Sequence, residues 1–212
     1  MRNKNIIRNL SPFLYSIKDH FRCYKKYYIV FSIIIAIGII TGAMTAFKYV
    51  GELEISHLND KILVEFLRGN IGWFRLFLDR VVVVAFTCVL LFLFNLKKWL
   101  SPLGVLLLLY KAYVVGLNSA ILIMIFNVSG IINVFIVLLP CNIIILFAFM
   151  GLCAVLTSYC FRMARYGDSV LSSQFWACNG KTVCVFFCLM LLGIILELIF
   201  LPAFCSAFLV IV

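Results

Sequence analysis

YIVFSIIIAIGIITGAMTAF, residues 28–47, runs for 20 residues without a charged side chain. As an α-helix it would extend about 30 Å, the thickness of the hydrocarbon layer of a bilayer. A buried helix of a soluble domain seldom needs that length of unbroken apolar chain, so the stretch reads as a transmembrane span. Within it Gly38 and Gly42 are four residues apart, the small-xxx-small spacing that lets two helix backbones approach closely in lipid. We expect this spacing to serve packing inside one bundle, with self-association into a homo-oligomer left open.

The residues on either side fit a membrane boundary. Residues 1–27 hold Arg2, Lys4, Arg8, Lys18, Arg22, Lys25 and Lys26 against one acid, Asp19, while Ile6, Ile7, Leu10, Phe13, Leu14, Ile17 and Phe21 recur at helical spacing. This is a basic amphipathic helix, suited to the anionic lipid surface next to a first span. It forms the first segment of the chain, and residues 28–212 form the transmembrane domain. The apolar run is too long for a signal peptide and lacks a small-x-small cleavage pattern.

The whole composition agrees: 66% of the 212 residues are hydrophobic and 12% are charged, with a mean hydropathy of +1.18. Soluble domains are nearer half apolar and a quarter charged. The formal net charge of +10 flanks apolar runs instead of covering a soluble surface, which argues for membrane lipids as partners and against nucleic acid. Most of the nine cysteines fall inside apolar segments and read as small packing residues. No CxxC pair or metal-ligand spacing occurs, so neither a disulfide framework nor a metal site is expected.

Four further spans are predicted, at about 77–96, 102–126, 141–161 and 182–203. The outer loop, 48–76, and the approach to span two as far as residue 80 carry five cations and five acids, so their charge cancels. Lys97, Lys98 and Trp99 close span two with an interfacial signature. Span three contains Lys111, leaving open whether 102–110 crosses or only dips into the bilayer. Residues 129–161 are uncharged, and Pro140 divides them into a lead-in and span four. Residues 166–181 read as a short polar loop, and Pro202 as the end of span five. The fold class is therefore all-α, a polytopic bundle of five spans, or six if 102–110 or 130–140 crosses separately. With the N-terminus cytoplasmic, five spans place Lys97, Lys98, Arg162, Arg165 and Lys181 inside, as the positive-inside bias requires.

No catalytic constellation is legible: HExxH, GxSxG, the Walker A loop and the dinucleotide glycine motif are all missing. Two histidines and eight acids leave little for general acid–base work. The expectation is a protein that is not an enzyme and binds no cofactor. Lys111, Asn118, Asn142 and Glu197 stand out because ionisable and amide groups at membrane depth are costly unless paired or wet. They are read as a structural clamp, a partner contact or a transport path. A Lys111–Glu197 contact requires span three to begin near Pro102.

IGIITGA (37–43), LLYKAYVVGLNSAIL (108–122), GIINVFIVLLPCNIIIL (130–146) and LLGIILELIFLP (191–202) together resemble the stage II sporulation protein M family of bacterial membrane proteins. The resemblance spans roughly 28–203 and rests on Lys111, Gly116, Pro140, Asn142 and Glu197 occurring in that order. It implies a multi-pass scaffold of the bacterial cell membrane, at the sporulation septum, that localises peptidoglycan hydrolases similar to stage II sporulation proteins D and P. The main alternative is a permease or export component. Gly38, Gly42, Gly116 and Pro140 are the expected helix-packing positions. The 48–80 stretch and the outer ends of the spans are the expected contact surface. The chain departs from the family pattern in its richness in cysteine and phenylalanine, and in Cys141 between Pro140 and Asn142.

Overall fold

A computed structural model describes the backbone of residues 2–48, 72–135, 139–163 and 172–209, with side chains described from residue 21 to 200 within those ranges apart from 73, 125–130, 132, 133, 162 and 163. The described secondary structure is entirely helical: α1 (Arg2–Phe47), α2 (Trp73–Phe94), α3 (Ser101–Asn133), α4 (Leu139–Met163) and α5 (Ser173–Leu209). Each contains a stretch long and apolar enough to cross a bilayer, at Phe21–Phe47, Phe74–Phe94, Ser101–Met124, Leu139–Phe161 and Ser173–Phe200. The protein is a polytopic helical membrane bundle with five such spans among the described residues.

Helix α4 is the centre. It packs on each of the other four helices, and 61% of its most apolar window is buried, against 22% for those of α1 and α2. Its residues Leu152 to Leu156 are fully enclosed. The outer helices instead turn apolar side chains outward, as Ile29, Ile33, Ile37, Ile40 and Met44 do on α1. In water that surface would be an aggregation patch; in a bilayer it is the lipid face.

Helices α1 and α3 cross at backbone contact. A Cβ added to Gly38 would lie 2.8 Å from both Ala112 Cβ and the Leu109 carbonyl. At Gly42 it would strike the Tyr113 carbonyl, and at Gly116 the Ile39 carbonyl. The glycine spacing therefore serves packing within the chain, as its sequence suggested, and Gly116 supplies the matching notch on α3.

Several boundaries move. Helix α2 begins at Trp73, four residues before the predicted start, because Gly72 is extended and its carbonyl accepts the amides of Arg75 and Leu76 at 3.1 and 3.3 Å. Helix α3 starts at Ser101 and is continuous through Lys111, so 102–110 belongs to one span. Helix α5 begins at Ser173 instead of 182 and runs through Pro202 to Leu209. Its start is fixed by Ser172, whose Oγ accepts the Phe175 amide at 3.2 Å, and by Phe175, which is fully buried against Tyr159. Pro140 is the second residue of α4, where a missing N–H costs nothing. Its side chain is exposed, so it sets a helix start and is not a packing residue. Helix α1 passes unbroken through the 27/28 boundary. Residues 49–71 of the predicted outer loop lie outside the described residues.

Candidate functional site

The four polar residues singled out in the spans meet at one place. Lys111 and Asn118 sit two turns apart on one face of α3, Asn142 on the first turn of α4, and Glu197 late in α5. All four line a cavity of about 290 Å³ whose walls include Val84, Leu146 and Ile194. A fifth polar residue joins them. Arg80 of α2 lines the same cavity, and its Nη2 lies 3.3 Å from Glu197 Oε1.

Sequence spacing alone does not single out this pair, because Arg80 counts among the five cations and five acids that cancel up to residue 80. The condition for a Lys111–Glu197 contact, a third span beginning near Pro102, is met by the start of α3 at Ser101. Arg80 falls within the predicted span 77–96 and lies seven residues, or about 10 Å, along α2 from Trp73. Its side chain is 21% exposed and that of Glu197 is 9% exposed. Glu197 is fixed from the other direction, because α5 packs tightly on α4: a Cβ at Gly193 would come within 2.6 Å of Ile145 Cγ1. Tyr110 completes the polar lining, and Asn118 Oδ1 is buried with no hydrogen-bond partner among the described residues.

Among the described residues the lining thus holds two cations, Arg80 and Lys111, and one carboxylate, Glu197. In surroundings of low dielectric such groups persist only when paired, hydrated or solvated by bound polar groups. The arginine fork donates and the carboxylate accepts, which ties α2 to α5. Among the described residues no group of three histidine, cysteine or acidic side chains is placed to hold a metal.

A second polar cluster, which nothing in the spacing announced, lies toward the opposite end of the bundle. Asn95 is fully buried at the end of α2; its Nδ2 donates to the Leu91 carbonyl at 2.8 Å. Its Oδ1 accepts from Ser101 Oγ and Thr157 Oγ1, each at 3.2 Å. These bonds lock the α2–α3 turn onto α4. Aromatic rings gather at the same end, with Phe92 stacked on Trp176 at 5.8 Å and Tyr159 edge-on to Phe175 at 4.8 Å. Lys98 lies 5.6 Å from the Phe161 ring centroid. Such a mixture of aromatic and cationic groups suits a membrane interface.

Together the bundle and its cavity define a class: a multi-pass helical membrane protein with an ion-paired polar cluster built from four spans. Comparison with protein families, curated proteins and solved structures gives no match.

Proposed function

We propose that the chain is a non-enzymatic scaffold of the bacterial cell membrane, of the stage II sporulation protein M type, which holds peptidoglycan-remodelling partners in place during engulfment. The observation that carries this reading is the convergence of resemblance-bearing positions. Lys111, Asn142 and Glu197, on three different helices, line one cavity, and Gly116 forms the α1–α3 crossing. Residues shared as a pattern gain physical sense when they build one structural core. A clamp of this kind fixes helix order and register, which a platform needs and which turnover does not require.

In this reading the N-terminus is cytoplasmic, and partners dock on the opposite side, on the 49–71 connection and the neighbouring helix ends. Cross-linked affinity capture of the full chain from sporulating cells is expected to recover wall hydrolases similar to stage II sporulation proteins D and P. Their absence from the captured material sinks the scaffold reading.

A permease is the second reading, favoured by one observation: Lys111 and Glu197 line the same cavity. A transport role requires charge at those positions. The double substitution Lys111→Gln/Glu197→Gln then abolishes function in cells even where the protein accumulates normally, and retained function removes the permease.

A further inference from the structure

The geometry points to the Arg80–Lys111–Glu197 cavity as a binding site for a phosphate-bearing anion, entered from the lipid-facing flank of the bundle. Three observations support this. The first is charge. With Arg80 and Lys111 against Glu197, the described residues of the lining sum to one excess positive charge however the three share their contacts. An anion of one negative charge would neutralise that sum, and a phosphate offers several acceptor oxygens to arginine, lysine and amide donors at once.

The second is position. Asn142 lies three residues from the start of α4 at Leu139, and Arg80 seven from the start of α2 at Trp73. At helical rise these lie about 5 to 10 Å along their helices from those starts. A lipid phosphate can reach the upper part of that range by a small local sinking of its headgroup, and long cationic side chains can reach up to meet it.

The third is access. Val83 and Tyr110 line the cavity, yet they are 41% and 54% exposed on the outside of the bundle, so part of its wall borders the lipid. Tyr110 brings a hydroxyl and Asn118 a side-chain amide to the same space. The chemistry suits both an anionic lipid headgroup and free phosphate. The inference rests on the cavity alone and is independent of the scaffold reading.

The test uses the full chain, purified in a neutral maltoside detergent and stripped of lipid. Its Tm is measured with phosphatidylglycerol, with zwitterionic phosphatidylcholine, and with inorganic phosphate. Phosphatidylglycerol at saturating levels is expected to raise Tm by about 5 °C, as a ligand near 100 times its Kd would. Phosphatidylcholine is expected to leave it unchanged. A comparable rise with inorganic phosphate identifies a free anion as sufficient, and a rise with phosphatidylglycerol alone identifies the lipid. Lys111→Gln should lose the response and Lys111→Arg keep it. Val83→Phe should weaken the response by narrowing the cavity without altering charge. No response of the wild-type protein to either anion overturns the proposal. So does a response that survives both Lys111→Gln and Val83→Phe, since the basic N-terminal residues would then be the binding site.

Discussion

Arg80 and Glu197 tie α2 to α5 by an ion pair between two spans, and the pair is asymmetric in what its loss would do. Removing Glu197 alone leaves two cations, Arg80 and Lys111, beside each other in a poorly solvated place, whereas removing Arg80 with it leaves only one of them there. Glu197→Leu alone is therefore expected to destabilise the protein by about 3 kcal/mol. Arg80→Met/Glu197→Leu should recover at least half of that loss. Unfolding in mixed micelles by titration with a denaturing detergent measures both, and simple additivity of the two single losses would refute a coupled pair. Lys111, Asn118, Asn142 and Glu197 were legible in the sequence because each interrupts an apolar run. Arg80 was not, because it closes a stretch where five cations and five acids cancel and sits only three residues into the predicted span, where it reads as an interfacial charge. Asn95 stayed hidden for a related reason: beside Lys97 and Lys98 it reads as an interfacial residue, and its partner Thr157 is 62 positions away.

Between helices, the α1–α3 crossing depends on missing side chains. The nearest atoms to an added Cβ at Gly42 and Gly116 are backbone carbonyls of the facing helix, which cannot swing aside as a flexible side chain can. Gly42→Ala and Gly116→Ala are each expected to cost roughly 2 kcal/mol or more through forced separation of the helices. Gly72→Ala, with nothing within 4 Å of its added Cβ, is the matched control and should stay within about 0.5 kcal/mol. Equal losses at all three positions would show that glycine matters here for reasons other than close approach. The existence of the five helices followed from uninterrupted apolar length, a strong signal in a membrane protein. Their ends followed less well. Phe175 and Trp176 extend α5 into what reads as a polar loop, because tertiary contacts with Tyr159 and Phe92 reward a helix there. Pro140 marked a true start, whereas Pro202, an equally plain signal, lies within a continuing helix.

Across the whole bundle, five alternating spans place the start of α1, the α2–α3 turn and the start of α5 at one end, and the α1–α2 connection at the other. Two native cysteines report on this arrangement. Cys23, near the start of the first span, and Cys178, near the start of α5, are both exposed, whereas Cys88, Cys141, Cys153 and Cys160 are buried. Cys184 and Cys188 are exposed as well, but farther along the apolar span, where lipid would shield them from a water-soluble reagent. In sealed spheroplasts treated with a membrane-impermeant maleimide, Cys23 and Cys178 should stay unmodified under the proposed orientation, in which the positive-inside bias assigns their end to the cytoplasm. A cysteine introduced by His57→Cys, between α1 and α2, should be modified in the same cells. Permeabilisation should then expose Cys23 and Cys178 together, with labelled positions located by mass spectrometry. If Cys23 and Cys178 respond from opposite sides, an odd number of crossings separates the starts of α1 and α5, and the five-span arrangement fails. If both respond in sealed cells while position 57 does not, the arrangement stands and its orientation is reversed.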